Sequence, residues 1–205
     1  MWKRTSLIGA GALVVLAIST GCSGSNETEH PAGHTSASSA SAAPTASAAA
    51  EAHNDADVMF AQHMIPHHQQ AVEMSDMLLG KQGIDARVVQ LANQIKAAQG
   101  PEIQQMQGWL TQWGTPSMPP MSVHDMPEMQ GMMSGADMTA LQNAQGVEAT
   151  KLFLTQMIAH HEGAVTMAQT EIKDGQYPPA VDLAHAIVTS QQQEIDTMKG
   201  ILATL

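Results

Sequence analysis

One cysteine stands in 205 residues, so no disulfide can form within the chain and a thiolate metal cluster is excluded. Aromatic residues make up only 3% of the chain, and valine and isoleucine scarcely alternate with polar residues anywhere, which removes the usual material of a β-sheet. Basic residues number 8 against 19 acidic ones, a formal net charge of −11. Such a surface repels phosphate backbones and anionic lipid headgroups while gathering cations, so nucleic acid is excluded as a partner. The sequence also lacks a nucleophile–base motif, a phosphate loop and a nucleotide fingerprint, which leaves hydrolase and transferase chemistry without support.

Long apolar runs are missing too, except at the start. MWKRTSLIGAGALVVLAISTGC places Lys3 and Arg4 before an apolar run that ends at small residues. The run is roughly a dozen residues long, short of the about 20 that a spanning helix needs, and has the form of an export signal. Ser19, Thr20 and Gly21 ahead of Cys22 are similar to the lipobox of bacterial lipoproteins, although residue 19 is more often a larger aliphatic there. Residues 1–21 are therefore expected to be a lipoprotein signal peptide, and Cys22 a lipid-bearing residue that anchors the exported protein to the membrane outside the cytoplasm. Acylation would also account for a solitary cysteine in an exported chain. Residues 22–52 are rich in Ser and Ala, carry Pro31 and Pro44 and hold almost no large apolar side chain, the composition of a disordered tether. His30, His34 and His53, in or beside it, are read as solvated.

What remains is enough for one core, and it contains a repeat. Adding 93 to Phe60, Met64, Ile65, His67, His68, Ala71, Val72 and Met74 gives Phe153, Met157, Ile158, His160, His161, Ala164, Val165 and Met167, all identical. Further on, adding 92 carries Leu91, Ala92, Ile95, Gln99, Glu102, Ile103, Met106 and Leu110 onto Leu183, Ala184, Ile187, Gln191, Glu194, Ile195, Met198 and Leu202. Within each unit both segments space their shared residues by three and four, one face of a helix. Gly80, Gly83 and Asp85 break the first unit, and Asp174, Gly175, Pro178 and Pro179 the second, so each unit predicts a helical hairpin. One hairpin cannot bury its apolar face alone, and two predict an all-α four-helix bundle. The boundaries follow: a first hairpin over 53–114, a Met-rich connector over 115–138 and a second hairpin over 139–205.

The histidines carry the chemistry. His67 and His160 fall on the core-facing stripes of MIPHHQQAVEM and MIAHHEGAVTM, while His68 and His161 are turned about 100° towards the groove or the adjacent helix. His63 stands one turn before His67, within reach of a shared ion, but its counterpart is Gln156. A neutral imidazole in a core requires partners. Glu102 and Glu194 are placed to serve as metal ligands, as acceptors from metal-bound histidines, or as members of a metal-free His–Glu network. Pro66 removes a hydrogen bond to Gln62 and predicts a kink beside the first pair.

Methionine points to the metal. Met106 and Met198 read as core filler, whereas Met64, Met74, Met157 and Met167 read equally as filler or ligand. The connector PSMPPMSVHDMPEMQGMMSGADM sets Met118, Met121, Met126, Met129, Met132, Met133 and Met138, with His124, among prolines and glycines that oppose a core helix. These methionines lack a packing role. Thioether with imidazole suits Cu(I), so copper is the expected metal, with iron or zinc as alternatives.

FxxHMIPHHQQAVEM with QxxEIxxM, followed by FLTQMIAHHEGAVTM with QQQEIDTM, resembles the two repeats of the bacterial exported family named domain of unknown function 305, over about residues 54–205. The resemblance implies a ferritin-like bundle of two similar hairpins, functional His67, His68, His160 and His161, and copper binding or tolerance in some members. It does not imply ferroxidase activity. A di-iron bundle requires Glu-x-x-His on two helices, and neither histidine pair has it. The expected function is extracytoplasmic copper binding or sequestration without turnover. The alternatives are a metal-dependent redox protein oxidising iron or copper, and a metal-free interaction module of the envelope.

Overall fold

Asn54 opens the first helix by accepting hydrogen bonds from the N–H groups of Ala56 and Asp57, while the Asp57 carboxylate accepts from the Asn54 N–H. From this capping box α1 runs over Asp55–Leu79. Asp85 caps α2 (Ala86–Gln112) through the Arg87 N–H, and Pro178 and Pro179 start α5 (Pro178–Leu202), where a missing N–H costs nothing. Between the hairpins come a short α3 (Gly135–Asn143) and the long α4 (Gly146–Asp174). The computed structural model describes residues 52–116 and 130–205. The expectations for the signal peptide, Cys22, the tether before residue 52, Met118, Met121, His124, Met126 and Met129 lie outside the described residues.

The all-α bundle is as expected: α1 packs on α2 and α4 on α5, and no strand occurs among the described residues. No described helix is long and apolar enough to cross a membrane. α1 and α4 lie antiparallel across the bundle, because Phe60 and Met64 cluster with Ala164 and Ala168, whereas Ala71, Met74 and Leu78 cluster with Phe153, Leu154 and Met157. The apolar interior is thus two clusters, one at each end of the bundle. The sequence between them on the four long helices supplies His67, His68, Gln99, His160, His161 and Gln191, all buried. A polar layer divides the core.

α1 runs on through Pro66, where the helix forgoes one hydrogen bond while its flanks remain packed. One local expectation needs correction. The connector does contain a helix, because Ser134 and Asp137 form a second capping box, with the Ser134 Oγ accepting from the Asp137 N–H at 3.2 Å and the Asp137 carboxylate accepting from the Ser134 N–H at 3.0 Å. Met133 and Met138 therefore have a packing role, buried with Leu141, Leu154 and Met157. Met132 is half-buried.

The connector is fastened to α1 at both ends. Gln62 donates to the Pro116 carbonyl at 3.0 Å. Further along α1, Gln70 donates to the Met133 carbonyl at 2.9 Å and accepts from the Met133 N–H at 2.7 Å. At the end of the bundle where α1 begins, the buried Asp57 carboxylate also accepts from the N–H groups of Gln176 and Tyr177, at 3.0 and 2.9 Å, joining α1 to the turn before α5. Burial pushes the Asp57 carboxyl up, but the Asn54 and Tyr177 amides hold it below its ordinary range. Asp57→Ala strands these donors and should cost about 2 kcal/mol, read as a lower urea midpoint with an unchanged slope.

Candidate metal centre

Four imidazoles meet in the dividing layer. His67 of α1 and His160 of α4 are both fully buried, with ring centroids 3.7 Å apart and ring planes inclined at 36°. Each sits at the register where the apolar stripe of its helix crosses the bundle, which is why related positions of the repeat come face to face. The second histidine of each pair turns to its hairpin partner: His68 Nε2 lies 2.6 Å from Glu102 Oε2, and His161 Nε2 lies 2.7 Å from Glu194 Oε2. Both carboxylates keep 20% of their side-chain surface exposed, so each His–Glu pair runs from the core to solvent.

The polar layer is unevenly satisfied. Neither nitrogen of His67 or His160 has a hydrogen-bond partner, nor does Nδ1 of His68 or His161. The Gln130 backbone lies beside His67 and slightly favours its protonated form, but without hydrogen-bond geometry. Each stranded buried group costs about 1–3 kcal/mol. An apolar pair would avoid this cost, so the stability of the bundle does not explain the histidines. Burial, followed by the neighbouring His68 and His161, pushes His67 down to about 3. Burial and His67 push His160 well below its ordinary value. Both rings are neutral at physiological pH and keep a lone pair for a metal.

No three His, Cys, Asp or Glu side chains among the described residues converge on one point as they stand. The sulfur donors of the sequence reading are distributed around this layer. Met64 and Met157, three residues before His67 and His160, are fully buried in the two apolar clusters, and Met74 is equally buried beside Leu78. His63 and Met167 are not part of the four-histidine layer; they line a groove nearer the start of α1.

The approach to the layer is closed by backbone. A Cβ on Gly163 would lie 2.0 Å from the Gln130 carbonyl oxygen, and one on Gly131, at φ +85°, would lie 2.8 Å from the Ala159 carbonyl and 3.0 Å from that of His160. The returning connector is thus seated directly on the turn of α4 that carries the second histidine pair. Gly163 and Gln70 occupy matching positions of the two repeats, and both hold the connector. That departure from repeat identity was the signal in the sequence for this contact.

The family profile described as a domain of unknown function, DUF305, matches residues 57–202. A DUF305 fragment from Deinococcus radiodurans is 35% identical, with a TM-score of 0.67 over 74% of this chain and 98% of its own. A DUF305 protein of Streptomyces coelicolor assigned as secreted is also 35% identical, with a TM-score of 0.67 over 73% and 91%. CopM has been solved with Cu(I) bound, at 32% identity and a TM-score of 0.60 over 72% and 96%, and with Cu(II) bound, at 33% and 0.64 over the same shares. No curated protein matches the chain.

Proposed function

The chain belongs to the DUF305 family, and on that premise we propose that it is an extracytoplasmic copper-binding protein whose cargo is held between the two histidine pairs. The observation that carries this reading is the set of unpartnered ring nitrogens on His67, His68, His160 and His161, gathered in one buried layer. Imidazole combined with thioether favours Cu(I) over the harder divalent ions. Glu102 and Glu194, bonded to His68 and His161, would fix those rings and balance the charge of a bound ion. Relatives solved with Cu(I) and Cu(II) support a copper cargo. Met64 and Met157 are the nearest candidates for sulfur donors along the helices, and the connector would supply Met118, Met121, Met126 and Met129.

The remaining organisation is part of the same proposal. Residues 1–21 would direct export, Cys22 would carry lipid, and the segment to residue 52 would let the bundle stand away from the membrane. A family relative assigned as secreted supports the location. The protein would buffer, sequester or hand over copper, without turnover.

The test is an anaerobic Cu(I) titration of the full chain against a competing chelator. Replacing His67, His68, His160 and His161 together by Ala should weaken binding more than a hundredfold, while a Met→Leu variant of the connector reports its own share. A second reading, a metal-free His–Glu network that sets helix register, draws on the 2.6 and 2.7 Å contacts. It predicts that the chain fails to compete for copper with its helical content intact, and that outcome would sink the copper reading.

A further inference from the structure

The repeat relates two grooves between α1 and α4, one at each end of the bundle, and the chain treats them differently. Where α1 ends and α4 begins, α3 lies over the groove: Met138 and Leu141 are buried against it, Gln156 Nε2 donates to the Asp137 carbonyl at 3.0 Å, and Lys81 Nζ donates to the Gln142 carbonyl at 2.7 Å. At the other end no described element covers the groove, which forms an open cavity of about 200 Å³ lined by Met59, Phe60 and His63 of α1 and by Met167 and Glu171 of α4.

The differences between the grooves follow their chemistry. By the 93-residue offset, Met59 corresponds to Leu152, His63 to Gln156 and Glu171 to Leu78, while Met167 corresponds to Met74. The covered groove thus has apolar or amide groups where the open one has thioether, imidazole and carboxylate. Met59 is 54% exposed, which packing does not explain. Glu171 is 1% exposed and lines the cavity beside the Asp57 carboxylate, and neither of its oxygens meets an N–H donor. Two neighbouring buried carboxylates must share a proton or take a cation.

We propose that the open groove is a second metal site, for a soft monovalent cation of the Cu(I) or Ag(I) type. Met59, His63 and Met167 are its soft donors, and Glu171, on giving up its proton, balances the charge. Thioether with imidazole selects such ions over Mg, Ca or Mn. Because it opens to solvent, this site exchanges its ion directly, in contrast to the sealed layer between the histidine pairs. It shares a class of cargo with that layer but none of its residues, so the two assignments fail separately.

The test uses the full chain and residues that the other repeat already carries at matching positions: Met59→Leu, His63→Gln and Glu171→Leu combined. In an anaerobic Cu(I) competition titration this variant should take up one ion fewer than the unmodified chain, with its remaining affinity unchanged within twofold. Independently, Ag(I) added to the unmodified chain should shift the ε-methyl carbon resonances of Met59 and Met167, assigned by single Met→Leu changes. Both shifts should persist when the four paired histidines are replaced by Ala. Full stoichiometry in the groove variant, or methyl resonances of Met59 and Met167 that stay in place as Ag(I) binds elsewhere, would overturn the assignment.

Discussion

Acidification from pH 6.5 to 5 should remove about 2 kcal/mol of stability from the metal-free chain through His67 alone, since each pH unit below the unfolded value costs about 1.4 kcal/mol per excluded proton. His67 is held at about 3 in the folded state against an ordinary 6.5. Above 6.5 neither state binds the proton and this stability is fully present. As pH falls through the window from 6.5 to about 3, the unfolded chain accepts a proton that the bundle refuses, and the stability drains away; below 3 the loss stops growing. His160 acts in the same direction. Urea midpoints measured at half-unit steps should fall steeply below pH 6.5, and a His67→Leu, His160→Leu chain should show a much flatter profile. That variant should also be the more stable protein at neutral pH, because it replaces unpartnered buried nitrogens with apolar atoms. Parallel profiles for the two chains would show that the histidines are solvated in the folded state. A gain in stability together with a loss of copper binding would mark the layer as selected for function against stability.

Gly163→Ala should cost about 3 kcal/mol, the upper range for forcing a methyl group into a packed site. All three atoms nearest the added carbon are backbone: the Gln130 oxygen at 2.0 Å, the Gln130 carbonyl carbon at 2.6 Å and the Gly131 Cα at 2.7 Å. No rotamer change relieves that contact, so the connector must lift. Lifting it breaks the paired hydrogen bonds between Gln70 and Met133 and opens the histidine layer to water. Amide exchange should report this, with the Met133 N–H protected in the unmodified chain and fast in the variant. Gly108→Ala, within α2, is the matched control. A Cβ there meets nothing within 4 Å, and alanine favours a helix interior by up to about 1 kcal/mol, so that change should be neutral or stabilising. Equal effects at the two glycines would mean that the connector is not seated on α4.

The fold was legible in the sequence because both of its determinants are local or repeated. The three–four spacing of Phe60, Met64, His67, Ala71 and Met74 specifies the buried face of α1, and its duplication specifies α4. That His67 and His160 face the interior, with His68 and His161 turned towards the groove or the adjacent helix, was expected from the same symmetry; which histidine of each pair meets Glu102 or Glu194 was not. What escaped was whatever departs from the repeat. Helix α3 was hidden because nine residues give too weak a periodicity, although its Ser134–Asp137 capping box was visible. With it went the packing role of Met133 and Met138. The Asp57–Glu171 neighbourhood was equally obscure, since Thr150 and Leu78 stand at the matching positions and only tertiary contact brings the two acids together. Burial, and then the hydrogen bond and charge of Asp57, push the Glu171 carboxyl up to about 8. No spacing along one helix announces that.

The fastening of the connector to α1 has a kinetic meaning. Its anchors, Gln62 and Gln70, stand about 12 Å apart along the helix axis at 1.5 Å per residue, and Pro66, His67 and His68 lie between them. The chain therefore leaves α1 at Pro116 and returns to it at Met133, on either side of the first histidine pair. On the proposed function, donors carried between these anchors would be present at the pair at effective concentrations on the order of millimolar, however dilute the protein is. Passage of an ion from them to the pair would then be a first-order event, with a rate independent of how many copies of the protein are present.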